Sequence, residues 1–165
     1  MIEIQAVAPP NQFLNEDQIR QTLTAGLEGK HTGEKILVLI PDHTRTIPLP
    51  QLFYHLVTIL HDAQQLDFRV ALGTHPPLND SQINQLVGIT AEERQTTYKH
   101  IGLFNHNWYE PDALTQIATL PQAQIKEIAG DRWHPTLGGD VSVNINRRVL
   151  EYDHIMILGP TFPHE

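Results

Sequence analysis

The sequence predicts an α/β fold, a single three-layer domain built on an open, mostly parallel, Rossmann-like sheet. Three observations carry this. Short apolar runs alternate with segments of helical periodicity. One run, Ile36 to Ile40, is five apolar residues without a break, the pattern of a strand covered on both faces. Most strand-like runs are followed at once by a turn residue and a polar loop containing a histidine.

Taken in order, Ile2, Ile4 and Ala6 alternate with polar residues and predict an edge strand closed by Pro9-Pro10. Asn15 with Gln18 forms a capping-box pattern before a helix carrying Ile19, Leu23 and Leu27 on one face. Gly29 and Gly33 flank a turn into the Ile36 strand, which Pro41 ends. Asp42, His43, Thr44 and Arg45 follow. Pro48 and Pro50 then open a helix over 49–63 with Leu49, Leu52, Phe53, Leu56 and Leu60 on one face. Asp67 to Leu72 is a second strand, leading into Gly73-Thr-His-Pro-Pro77, and Asn79 caps a helix with Ile83, Leu86 and Val87.

A third strand is expected from Tyr98 to Phe104, followed by Asn105-His-Asn-Trp108. Between 109 and 140, Ala123, Ile125 and Ile128 point to a strand or short hairpin, and Gly130, Pro135 and Gly138-Gly139 to turns. Val141 to Ile145 reads as a strand, Asn146 as the cap of one or two helical turns, and His154 to Gly159 as the last strand. Right-handed crossovers would gather the loops after the strands at one sheet edge, where ligands of such sheets bind.

Composition narrows the function. The chain has 165 residues, 40% apolar and 18% charged, which is globular and large enough for one core. A net charge of −8 argues against a nucleic-acid surface. No apolar run nears the roughly 18 residues of a membrane span, and no secretory signal pattern opens the chain, so the cytoplasm is the expected compartment. Cysteine is absent, which removes thiolate nucleophiles, zinc–thiolate sites and disulfides. Neither Ser81 nor Ser142 sits in a nucleophile elbow, and no Gly-rich phosphate loop or His-Glu-x-x-His pair occurs.

What is left is one arginine, one aspartate and an excess of histidine, ten in all. Asp42 taken alone reads best as a helix cap; followed three residues later by Arg45, it reads as half of an anion site. Gly73 allows a sharp turn and Pro76-Pro77 stiffen the loop, so His75 suits a general base or a ligand as well as a structural role. His164 has a similar setting between Gly159-Pro160 and Pro163. His43, His106 and His134 are open candidates, while His31, His55, His61, His100 and His154 read as surface or internally satisfied.

Asp42-His-Thr-Arg45 with Pro48, then Gly73-Thr-His75, Asn144 to Arg147, and Gly159 to His164 resemble the N-terminal half of the nickel-dependent lactate racemases, in order and over most of the chain. The resemblance implies a racemase or epimerase acting on a 2-hydroxy acid by hydride transfer to a nickel pincer nucleotide. It implies His75 and His164 as acid and base, with Arg45, Asp42 and Thr44 binding substrate and His106 and His43 as further candidates. Pro76-Pro77 stand where family members often carry Arg-Pro, which favours a 2-hydroxy acid other than lactate. The cofactor's lysine and nickel histidine would lie beyond Glu165, so the isolated chain is expected to hold no metal or cofactor and to be inactive. A second copy of the chain is among its expected partners. Two other classes fit the residues: a metal-dependent hydrolase using Asp42, His75, His106 and His164, and a non-catalytic carboxylate-binding module centred on Arg45.

Overall fold

The structure, a computed structural model, describes residues 4–73, 75–134, 136 and 138–161. Its elements in chain order are α1 (Glu16–Leu27), β1 (Lys35–Ile40), α2 (Leu49–Ile59), β2 (Gln65–Val70), α3 (Asp80–Val87), α4 (Ala91–Gln95), β3 (Gly102–Asn105), β4 (Leu114–Leu120), α5 (Gln122–Ala129), β5 (Val141–Asn146) and β6 (His154–Ile157). They divide into two compact units, one of residues 1–106 with 152–165 and one of 107–151. The sequence reading treats both as one domain.

The first unit holds a parallel four-stranded sheet in the order β3-β2-β1-β6, flanked by helices. Register and side-chain alternation explain its core. Leu103, Phe68, Val38 and Met156 lie opposite one another across all four strands, and so point to one face. Against that face pack Leu49, Phe53, Leu56 and Leu60 of α2 and Ile83 and Val87 of α3. Phe53 sits at the centre, its ring 4.8 Å from Phe68 and 5.4 Å from Tyr98. These are the apolar positions that the 3.6-residue period marks on α2.

The opposite face carries Leu37, Asp67 and Gly102 in one row and Leu39, Arg69 and Phe104 in the next. Asp67 is buried and fully used: it accepts from the Gly102 amide, the Gln65 side chain and the Tyr152 hydroxyl, each at 2.6 Å. A Cβ on Gly102 would come within 2.4 Å of both Asp67 Oδ1 and Phe104 Cε2. We therefore expect Gly102→Ala to destabilise the protein by about 1–3 kcal/mol, the usual cost of overpacking, measured by urea denaturation.

The second unit pairs β4 antiparallel with β5, with an irregularity between Gln116 and Ala118 and α5 in the connection. Asp140 accepts from the Gln122 amide and the Gln122 side chain from the Gly139 amide, which closes that connection.

Several expectations change. Residues 4–9 form no strand; Ile4 instead lies along α1, its Cδ1 3.9 Å from where a Gly26 Cβ would stand. The stretch around Ala123, Ile125 and Ile128 is α5, not a strand: Ile125 and Ala129, four apart, share the less exposed side while Ile128 is exposed. β4 and α4 are additional elements, the latter opened by a Thr90–Glu93 capping box. The third strand spans 102–105 only, because residues 98–101 turn back through Ile101 N–H to Tyr98 O. The capping boxes at Asn15 and Asn79 are present, and Asn146 caps a short 3-10 turn through the Arg148 amide.

Among the described residues no helix is long and apolar enough to cross a membrane.

Candidate functional site

All four parallel strands end at one edge, with Ile40 level with Val70 and Val70 level with Asn105. The ladder runs on for one more step: Ala71 donates to Ile40 O, His106 to Val70 O and Leu158 to Leu39 O. The order β3-β2-β1-β6 reverses direction at β1, since the chain builds outward to β3 and then returns to β1's other side. A sheet of this kind opens a crevice at that switch point, between the loops after β1 and β6. The first of these loops is Asp42 to Arg45, and the second begins at Leu158.

Asp42 is the pivot of the loop. The residue is buried at 7% exposure and its two carboxylate oxygens are used differently. Oδ1 accepts from the Thr44 amide at 3.0 Å and the Thr44 hydroxyl at 2.5 Å, while the Arg45 amide donates to the Asp42 carbonyl at 3.3 Å. Side-chain and main-chain bonds thus fold 42–45 into a tight turn that fixes where Arg45 leaves the backbone. Oδ2 faces His75 Nδ1 at 2.5 Å, joining the loop after β1 to the loop after β2. The helix-cap reading of Asp42 fails: α2 is entered through Pro48 with no side-chain cap, and the aspartate is spent on Thr44 and His75.

Burial alone would raise the Asp42 carboxyl. The Thr44 hydroxyl, the His75 ring and the Thr44 amide outweigh it and lower its pKa from 3.8 to about 2. Asp42 is therefore ionised at neutral pH and can only accept hydrogen bonds. It follows that His75 Nδ1 carries the proton it donates, which leaves Nε2 as the basic nitrogen of a half-exposed ring.

Because the folded pKa of Asp42 is depressed, its contribution to stability is present above its unfolded value of 3.8. It is lost as pH falls toward about 2. We expect wild type to be more stable than Asp42→Asn at pH 5 and the gap to close between about pH 4 and 2 in urea titrations.

Two cavities meet at this turn. One, of about 270 Å³, is lined by Pro41, Asp42, Thr44, Arg45, Ala71, Gly73 and His75. The other, of about 420 Å³, reaches from Asp42, His43 and Arg45 to Ile47, Leu49, Leu78 and Leu86 on the α2–α3 side. Asp42 and Arg45 belong to both. His43 is exposed and lines only the larger.

His106 starts the loop after β3, half-buried, and burial together with the Arg69 charge lowers its pKa. It is not among the described residues lining either cavity. His164 lies outside the described residues, as does Thr74. Gly73 does not use the left-handed region, and a Cβ there would meet nothing within 4 Å, so the turn at the exit of β2 does not depend on glycine.

Asn105 is a positioning residue that the sequence reading passed over. Its amide holds Leu78 from both sides, accepting from the Leu78 N–H at 3.1 Å and donating to its carbonyl at 2.7 Å. That ties the segment following His75 and the two prolines to the end of β3. The only available signal was an asparagine at a strand exit.

The described residues do not build the expected hydrolase centre. Among them a single cluster offers three metal-type ligands, and it contains none of Asp42, His75 and His106.

Comparison with known proteins bears on the family and the fold. A family model described as the lactate racemase N-terminal domain matches residues 13–129. The crystal structure of a protein from Thermotoga maritima is similar at 26% identity with a TM-score of 0.69, covering 87% of this chain and 33% of that one. The chain therefore spans about a third of the length of that protein. No curated protein matches. The match covers well over half the chain, including β1, β2, β3 and the Asp42–His75 pair, and on that basis the chain belongs to the lactate racemase N-terminal domain family.

Proposed function

We propose that this chain supplies part of the substrate cleft of a lactate-racemase-like isomerase that inverts or epimerises a 2-hydroxy acid. The observation that carries the reading is the Asp42–His75 pair, which shares a cavity wall with Arg45 between the loops after β1 and β2. Each group has a role that matches such a substrate. Arg45, exposed on the cavity wall, offers a forked guanidinium to the carboxylate. His75 Nε2 accepts the proton of the 2-hydroxyl as the carbinol carbon is oxidised, and returns it when the carbon is reduced. Asp42 keeps the ring in the tautomer that leaves Nε2 basic and stabilises the imidazolium formed on proton uptake. Thr44 holds Asp42 in place.

Inversion needs the hydroxyl served from both faces. By family resemblance His164, which lies outside the described residues, is the second acid–base group.

In the intact enzyme the family's nickel pincer nucleotide would supply the acceptor for the Cα hydrogen and its electron pair. The described residues of this chain do not fit the task of holding it: no lysine lines either cavity, and Asp42 and His75 are already engaged with each other. Their part is to bind the substrate carboxylate and to move the hydroxyl proton.

The test is a chirality assay on the intact enzyme with enantiopure 2-hydroxy acids of different chain length. We expect loss of optical purity from either enantiomer. Binding of the acids with no change in chirality would leave only a carboxylate-binding module and overturn the proposal.

A further inference from the structure

We infer a second site, for a zinc-class divalent cation, at the opposite edge of the sheet: His31 Nδ1, Glu34 Oε2 and His154 Nε2. Glu34 Oε2 lies 2.9 Å from the His31 nitrogen and 2.8 Å from the His154 nitrogen, and the three ligand atoms are all within 4.8 Å of one another. Two imidazoles and a carboxylate with one position left for water form a donor set that zinc takes up readily. Tetrahedral coordination at about 2.0–2.2 Å would need neighbouring ligand atoms roughly 3.3–3.5 Å apart. Both Glu34 contacts, at 2.9 and 2.8 Å, are shorter than that, so metal binding requires the Glu34 side chain to withdraw from the two rings.

The ligands come from two places that the sheet brings together. His31 and Glu34 belong to the turn between α1 and β1, with the Glu34 amide bonded to the His31 carbonyl at 3.2 Å. Gly33, at φ 76°, supplies the left-handed residue that this turn requires. His154 opens β6 level with Ile36 of β1, so the parallel pairing of β1 and β6 places it over the turn.

The turn is held on all sides. The Gly33 amide donates to Asp62 O at 2.9 Å, the Thr32 hydroxyl to the Asp62 carboxylate, and the Gln64 and Gln65 amides to Glu34 O. On the β6 side the Lys35 amide donates to the Asp153 carboxylate at 2.8 Å, and the Asp153 amide to Lys35 O at 2.9 Å. A turn and strand edge fixed this way limit the reorganisation that metal binding would demand.

The chemistry also suits the ion. The two rings sit edge to face with centroids 4.5 Å apart, which brings both nitrogens onto one carboxylate oxygen. His31 is mostly enclosed, while Glu34 and His154 leave an open side for entry and for a water ligand. This cluster and the Asp42–His75 pair stand at opposite ends of β1, so a cation here would link the α1–β1 turn to β6 without entering the cleft.

The experiment is titration of chelator-treated protein with zinc by calorimetry, and with cobalt by visible spectroscopy. We expect one zinc per chain at micromolar affinity or tighter, and the absorption of tetrahedral cobalt. His31→Ala and His154→Gln should each weaken zinc binding at least about tenfold, whereas His75→Ala should leave it unchanged. Circular dichroism of the variants shows that they are folded, and a rise in melting temperature with zinc should be seen in wild type and absent in His154→Gln. Absence of stoichiometric binding, or zinc binding that survives both His31 and His154 substitutions, would overturn the site.

Discussion

His75→Ala in the intact enzyme is expected to lower turnover by roughly 10²–10⁴-fold in both directions while leaving KM nearly unchanged, because proton transfer in the transition state is lost and carboxylate binding is not. Loss in both directions distinguishes this role from a structural one: a ring that is acid for one enantiomer is base for the other. The ring is half-exposed and outside the apolar core, but its removal leaves the buried Asp42 Oδ2 without its partner, so some loss of stability is expected and circular dichroism checks that the variant folds. His75→Gln is the second variant, since its amide can still donate to Asp42 but has no basic nitrogen to offer. It should fold as wild type does and be equally inactive. Activity within tenfold of wild type for either variant, measured on both enantiomers, would remove His75 from the mechanism.

The second large effect is expected at Arg45. On this reading its guanidinium meets the substrate carboxylate in a charge-assisted, two-pronged hydrogen bond, a contact worth about 1.5–3 kcal/mol. Arg45→Ala should therefore raise KM by roughly 10–10²-fold. Arg45→Lys keeps the charge without the fork and should fall between the two. The Asp42–Thr44 turn does not use the Arg45 side chain, so the fold and the His75 geometry should be unaffected. Steady-state kinetics on a 2-hydroxy acid and on its amide separate the effects. The amide should be a poor substrate for wild type and lose little further in Arg45→Ala.

The scaffold was largely legible where local signals were strong. The run Ile36–Ile40 could only be a covered strand, and the reciprocal pairs Asn15–Gln18 and Asn79–Gln82 mark helix starts through groups three residues apart. β4 escaped notice because most of its residues are exposed and carry no burial pattern, and its antiparallel partner lies more than twenty residues away. The helix over 122–129 was misread because Ala123 and Ile125 mimic a strand period over a stretch too short to reveal a 3.6-residue one. At Ile2 to Ala6 the alternation was present, but residues 4–9 found no strand to pair with.

The site divides along the same line. Asp42, Arg45 and His75 could each be singled out from strand-exit position. The bond between Asp42 and His75 could not, since 33 residues separate them and only the β1–β2 register brings them together. The His31–Glu34–His154 cluster is more extreme: each histidine reads as a surface residue, and the grouping exists only through the pairing of β1 with β6. Long-range register, unlike capping or periodicity, leaves no local trace in a single sequence.

The central claim is that Asp42 holds His75 with its proton on Nδ1 and its Nε2 free to exchange a proton with the substrate hydroxyl. Long-range ¹H–¹⁵N correlation spectra of the His75 ring at neutral pH test it directly, recorded with and without a saturating 2-hydroxy acid on wild type and Asp42→Asn. In wild type Nδ1 should be protonated and Nε2 basic, the shift on adding the acid should be confined to Nε2, and Asp42→Asn should show a mixture of tautomers. A proton fixed on Nε2 in wild type, with no response to the acid, would contradict it.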